Sequence, residues 1–217
     1  MNQEYDVIVV GAGPAGIFTA LELAQKRPNT SILLVDMGRT IDHRNCPART
    51  LNRCVGCQPC NIMSGWAGAG AFSDGKLSLS EEVGGNITDY LPRNEVRALI
   101  QYADSIYLQH GAPQEVFGLN DPKVDEIQYE CTRHNIRLIP CPVRHLGTEK
   151  AFTVLRNMYE TLMGCEGFEF RERTSAQQLL VENGKVAGVY LKDAAGEVSL
   201  ARAKKVVAAP GRGGAAW

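Results

Sequence analysis

Apolar positions crowd into a short unbroken run near the start of the chain, Val7-Ile8-Val9-Val10, and into a second at residues 31–35. Runs without alternation suit strands covered on both faces, as in a parallel sheet. Between them, Ile17, Leu21 and Leu23 recur at helical spacing within residues 15–26. The pattern predicts strand, helix and strand in that order. Farther along, Val96, Leu99, Ile100, Ala103 and Ile106 mark a helix over residues 92–110, with Pro92 suited to its first turn. A second helix is predicted over residues 122–134, and residues 136–139 read as a short strand. Thr148 reads as the N-cap of a third helix that presents Ala151, Leu155, Met158 and Leu162 on one face. After Phe168 the rhythm shortens to β segments at 168–171, 178–181, 186–191 and 198–201, with turns at Asn183-Gly184 and Ala194-Ala195-Gly196. A last strand over 204–209 runs into Pro210-Gly211-Arg212-Gly213-Gly214.

The first strand and helix are joined by Gly11-Ala12-Gly13-Pro14-Ala15-Gly16. Gly11 allows a tight turn, Gly13 lets backbone approach a pyrophosphate, and Gly16 lets the helix pack close to the strand. The helix that Pro14 and Ala15 open presents bare N–H groups that favour negative charge. Asp36 ends the second strand about 20 residues after Gly16, where an acidic side chain accepts ribose hydroxyls. The unit reads as a dinucleotide cradle. Glycines also close ordinary strand–helix junctions, but the ordered strand, helix and acid favour the nucleotide; the motif by itself does not separate FAD from NAD.

A length of 217 residues with 44% hydrophobic content suits an α/β domain with a buried core. The net charge of −1, without a basic stripe, gives no footprint for nucleic acid or an anionic membrane surface. No apolar run approaches the roughly 20 residues of a membrane span, and no leader precedes the first strand, so a cytoplasmic protein is expected. The seven cysteines are then expected as reduced thiols. Four of them, Cys46, Cys54, Cys57 and Cys60, fall in a Gly-rich segment over residues 38–80 that is long enough to wrap a ligand. Repeated C-x-x-C spacing suits an iron–sulfur cluster, a tetrahedral zinc or a thiol redox pair; reduced cysteines without a metal are the plain alternative. Cys131, Cys141 and Cys165 read as small core or boundary residues.

Three stretches resemble the N-terminal part of FAD-dependent oxidoreductases of the glutathione-reductase-like superfamily, most closely a bacterial group of FAD-dependent dehydrogenases. They are Gly11 to Gly16 followed by Ala20; the run from Cys60 through Gly65-Trp66-Ala67-Gly68-Ala69-Gly70-Ala71-Phe72-Ser73-Asp74-Gly75-Lys76-Leu77; and the β-meander returning to Val206-Val207-Ala208-Ala209-Pro210-Gly211-Arg212. The segment Pro142-Val143-Arg144-His145-Leu146-Gly147-Thr148 is also similar to that group. The resemblance implies a Rossmann-like α/β FAD/NAD(P)-binding fold with a β-meander, one incomplete domain divided as residues 1–37, 38–80, 87–165 and 168–217, truncated at the C-terminus. It implies FAD as cofactor, with NAD(P)H as a possible electron donor, and hydride transfer through flavin N5 to or from a small-molecule substrate or acceptor. Pro210 and Gly211 would approach the nucleotide again. Gly68 and Gly70 would bring backbone amides against the flavin, with Lys76 supplying positive charge; a structural turn with a solvated lysine is the alternative. Arg44 could reach a phosphate, and His145 reads either as a proton carrier or as a capping residue. The alternative to an enzyme is a non-catalytic fragment or a nucleotide- or metal-binding module.

Overall fold

The computed structural model describes residues 3–214; the expected chain end at Trp217 lies outside the described residues. In chain order the elements are β1 (Gln3–Val10), α1 (Pro14–Lys26), β2 (Ile32–Val35), α2 (Ala48–Leu51), β3 (Lys76–Ser78), α3 (Arg93–Gln109), α4 (Pro122–Arg133), β4 (Val143–His145), α5 (Thr148–Met163), β5 (Phe168–Arg171), β6 (Ser175–Glu182), β7 (Lys185–Lys192) and β8 (Val198–Ala208). They fall into two compact units, one made by the stretch up to Phe72 together with the stretch from Leu155 onward, the other by Ser73–Val154. Among the described residues no helix is long and apolar enough to cross a membrane.

The first unit is built on a six-stranded sheet in the order β5-β2-β1-β8-β7-β6. β5, β2, β1 and β8 run parallel, and β7 and β6 continue the sheet antiparallel. The two apolar runs predicted as strands sit side by side at its centre, with Val7 opposite Ile32 and Val10 opposite Val35. Ile8, Val9, Leu33, Leu34 and Val35 are wholly buried, which is why these strands carry no polar alternation. On one face, Ile8, Val10, Leu33 and Val35 cluster with Val189, Leu191, Ala201 and Ala203 of the meander. α1 packs on β1 and β2 and buries Gly16, Ile17, Ala20 and Leu21. Trp66, fully buried, donates from Nε1 to the carbonyl of Leu155 at 2.9 Å. Its ring meets Tyr159 and Phe170 edge-on, with centroids 5.0 and 5.4 Å away, a favoured aromatic geometry.

β8 corrects the reading of two separate strands at 198–201 and 204–209, because it is continuous through Arg202. Its buried positions carry alanine, Ala201 and Ala203, whereas Arg202 pairs with Glu182 at 2.6 Å and Lys204 with Asp6 at 2.6 Å. Alternation of small and charged residues conceals a strand that apolar bulk would have announced.

In the second unit β3 and β4 form a two-stranded antiparallel ladder, Lys76 opposite His145 and Ser78 opposite Val143. α3 buries Val96 and Ile106. The strand expected over residues 136–139 is absent: that stretch is irregular and leaves Ile136 and Ile139 exposed. Pro140 and Pro142 follow it, and each removes an N–H that a ladder needs.

Candidate nucleotide site

The site lies at the C-terminal ends of the parallel strands, the usual place for ligands in such sheets. Gly11 leaves β1 by donating its N–H to the carbonyl of Val35 at 2.8 Å, and the Ala209 N–H reaches the carbonyl of Val10 at 2.8 Å. The turn is therefore hemmed in by the chain leaving β2 and by the chain leaving β8. Gly11 has φ +105°, and a Cβ there would stand 2.2 Å from the Ala209 oxygen. A Cβ on Gly16 would stand 1.8 Å from the Gly11 oxygen, so the helix can pack this closely only on bare backbone.

Gly13 differs from both. Its φ is −75°, which any residue adopts, and no atom lies within 4 Å of where its Cβ would be. Neither conformation nor a protein neighbour demands glycine, so the space over its Cα belongs to the cleft. Gly13 is also the N-cap of α1, and no side chain caps that helix. Its first turn thus offers amides and the positive end of the helix dipole to a ligand.

The opposite wall is the stretch around residues 61–68. The Ala67 N–H donates to the Ala12 carbonyl at 2.7 Å, and the Trp66 N–H to that of Arg39 at 3.0 Å. Asp36 accepts from the amides of Ala12, Gly38 and Gly65 at 2.8, 2.7 and 2.7 Å. Arg44 is buried behind this wall. Its Nε and Nη2 donate to the Asn61 carbonyl at 3.1 and 2.9 Å, Nη2 also to that of Ile62 at 2.7 Å, and Nη1 to those of Gly68 at 2.6 Å and Trp66. The guanidinium also lies 4.9 Å from the Phe72 ring centroid. Burial draws Arg44 down from its ordinary value to about 10, with Asp36 and then Cys60 opposing the fall. Its donors are used within the protein, so the phosphate role considered for it gives way to holding this loop.

Together these segments enclose a cavity of about 480 Å³, within the usual range for small-molecule sites. Of the residues expected to hold a cofactor, Gly11, Gly13, Pro14, Asp36, Gly68, Pro210 and Gly211 line it. Gly16 is buried beneath the turn and Ala15 is exposed on the first turn of α1. Gly70 is exposed in a 3-10 turn and is not part of the lining. Lys76 belongs to the second unit, where it is exposed on β3 and paired with Asp74 at 3.3 Å. His145 is exposed on β4, its ring edge-on to Phe117 with centroids 6.5 Å apart.

Sequence reading missed Met37 and Met63, which line the cleft, and Arg212, its one cation among the described residues. The methionines carry no local signal. Arg212 had one, standing in the glycine turn that follows β8.

Among the described residues no group of three or more His, Cys, Asp or Glu is placed to hold a metal ion. Cys46, Cys54, Cys57 and Cys60 are free thiols, with Cys54 and Cys60 exposed. Cys60 faces the amides of its own turn: hydrogen bonds from the backbone of Met63 and then Ile62, with Arg44 nearby, hold its thiol below the ordinary value.

Comparison with known proteins accords with this geometry. A family model described as pyridine nucleotide-disulphide oxidoreductase matches residues 5–213. Comparison with curated protein sequences finds no match. Among solved structures, the chain is similar to the 3-ketosteroid-delta4-(5alpha)-dehydrogenase from Rhodococcus jostii, with TM-score 0.57, 17% identity, and coverage of 95% of this chain and 45% of that one. It is similar to the L-amino acid deaminase from Proteus vulgaris, with TM-score 0.50, 15% identity and coverage of 97% and 48%. A quinol fumarate reductase from E. coli gives TM-score 0.50, 18% identity and coverage of 96% and 33%. The chain thus spans between a third and a half of the length of these structures, and the likeness is one of fold.

Proposed function

Because the chain belongs to the pyridine nucleotide-disulphide oxidoreductase family, we propose that its cleft binds FAD and that it serves an FAD-dependent oxidoreductase. The observation that carries this reading is Gly13, a glycine with an ordinary φ and empty space over its Cα, set at the uncapped start of α1. A diphosphate is the group that such a helix end receives, and Arg212, lining the same cleft, adds a cation for it. Asp36, at the other end of the glycine turn, faces the ribose. Met37 and Met63 offer polarizable apolar surface to a flat ring. The meander β6 to β8, returning beside β1 instead of further strand–helix units, favours FAD over NAD as the resident nucleotide.

Bound in this way, FAD supplies hydride transfer at flavin N5, drawing on a reduced nicotinamide or an organic substrate. The chain's own part is to bind and orient. The amides at the start of α1 and the Arg212 guanidinium fix the diphosphate, Asp36 fixes the ribose, and the Arg44-held loop excludes water from one side. A small-molecule partner and a cytoplasmic setting complete the proposal.

Titration of the purified chain with FAD, followed by flavin fluorescence and by absorbance near 450 nm, roughly where oxidised flavins absorb, tests it. Saturable binding that is lost in Gly13→Val and absent for riboflavin, which has no diphosphate, is the expected result. Binding of riboflavin as tight as that of FAD, or no binding of FAD, overturns the reading.

A further inference from the structure

Asp36 is more committed than its position at the end of β2 foretells. An ionised carboxylate offers about four acceptor positions, and three are already used. Oδ1 accepts from Gly38 and Gly65, both at 2.7 Å, and Oδ2 from Ala12 at 2.8 Å. Those amides come from three separate segments: the glycine turn, the bend just after β2, and the far end of the cysteine-rich loop. The backbone of Asp36 is pinned as well, its N–H donating to the Arg171 carbonyl at 3.0 Å and its carbonyl accepting from Thr174 at 2.9 Å. The carboxylate has little freedom to swing toward a ligand.

Arg44 completes the arrangement with the opposite sign. Asp36 gathers an amide from the loop at Gly65, while Arg44 gathers loop carbonyls at Asn61, Ile62, Trp66 and Gly68. One charge takes the donors and the other the acceptors of the same short stretch of backbone.

We propose that Asp36 is a clasp that assembles the cleft in the absence of cofactor, and that it has room for a single ribose hydroxyl, at Oδ2. The second clause rests on the reading of the cleft as an FAD site; the first does not. An acid with both oxygens open could accept the 2′ and 3′ hydroxyls together. Asp36 cannot, because Oδ1 is filled by two amides, so one hydroxyl of the adenosine ribose is read and the other is not. Asp36 is here a positioning residue for the walls and a specificity-determining residue for one hydroxyl.

Two measurements test this separately. The first is amide hydrogen exchange on the ligand-free chain at Ala12, Gly38 and Gly65, in the wild type and in Asp36→Asn. The variant keeps the shape but turns an NH₂ donor toward at least one of these amides. Exchange about tenfold faster or more at one or more of the three, with Ile8 and Leu33 unchanged, supports the clasp. Equal exchange in the two proteins overturns it. The second uses wild-type protein, so it stands even where the variant fails to fold: affinities for FAD and for FAD lacking the 2′ or the 3′ hydroxyl of the adenosine ribose. One analogue is expected to lose on the order of tenfold to a hundredfold and the other to bind within about twofold of FAD. Equal losses, or none, overturn the single-hydroxyl assignment. Absence of FAD binding defeats the proposed function and with it the ribose clause, while hydrogen exchange still decides the clasp.

Discussion

Among the described residues two arginines are buried, one in each unit, and they are held in opposite ways. Arg144, on β4 and 4% exposed, meets Asp104 of α3 through two parallel bonds, Nε to Oδ1 at 2.6 Å and Nη2 to Oδ2 at 2.7 Å. Its remaining contacts are to the carbonyls of Pro113 and Glu115. The hydrogen bonds it donates to Asp104 lift its guanidinium above the ordinary value. Arg44, 8% exposed, has no ion pair among the described residues, and burial draws it down to about 10. Its bonds go to carbonyl dipoles, with Asp36 acting only through its field. Arg144 is neutralised on the spot and serves to fix the fold. Arg44 shapes a loop, and the carboxylate whose charge acts on it, Asp36, also lines the cleft. A ligand that touches Asp36 is therefore coupled to the back wall of its own site.

Arg144→Ala should produce the largest effect. It strands the Asp104 carboxylate in a half-closed setting, and breaking a buried pair by removing one partner costs about 3–5 kcal/mol. Urea unfolding measures it; a loss below about 1 kcal/mol would show that water relieves Asp104, and the contrast with Arg44 would collapse. Next comes replacement of each arginine by lysine. Lysine keeps the charge but has three donors, not the five of a guanidinium fork. At Arg44 this abandons some of the four carbonyls, at about 1–3 kcal/mol, and should also weaken FAD binding. At Arg144 the ion pair survives in part, so FAD binding should hold. Equal losses of FAD affinity in the two lysine variants would break the distinction.

Gly13→Ala sharpens the comparison from the other side of the cleft. Its φ and its open surroundings let alanine fit, so thermal stability should change by no more than about 1 kcal/mol, the reduced freedom of the unfolded chain opposing the poorer N-cap that alanine makes. FAD affinity should fall about tenfold, near 1.4 kcal/mol, because the methyl occupies ligand space. A variant that binds FAD normally would show that the diphosphate does not approach Gly13.

Much of this was legible in the sequence, because much of it is local. Val7 to Val10, the glycine turn and Asp36 lie within one strand–helix–strand unit, so their spacing along the chain already carries the pattern. The positions that were not legible depend on partners far along the chain. β8 reads as broken because its buried sites are Ala201 and Ala203 and its other face carries Arg202 and Lys204, whose partners Glu182 and Asp6 become visible only after folding. Residues 136–139 looked like a strand, yet apolar character alone supplies no neighbouring edge. Arg44 could not be read as a loop holder, since its partners are carbonyls, which every residue has. The cysteine spacing is of a related kind: it measures distance along the chain, whereas a metal needs convergence in space, and among the described residues no such group converges.

Cys60 yields the smallest expected effect and joins the cysteine segment to the Arg44 wall. Its thiol is held below the ordinary value first by the Met63 and Ile62 amides and only lastly by Arg44. A lowered thiol is more fully ionised at neutral pH, but its thiolate is intrinsically a weaker nucleophile. At pH 7 Cys60 should therefore be alkylated by iodoacetamide a few-fold faster than a cysteine in an unstructured peptide, roughly in line with its larger thiolate fraction. As pH rises above both pKa values the ionisation advantage vanishes and the weaker nucleophilicity remains, so the ratio should fall below one. Arg44→Lys keeps the positive charge but loosens the turn that Arg44 holds by the Asn61 and Ile62 carbonyls. If the amides govern the thiol, that variant should pull the pH 7 ratio toward one. If the ratio is unmoved in Arg44→Lys but collapses in Arg44→Met, the charge governs instead, and Arg44 reaches Cys60 through its field and not through the backbone it holds.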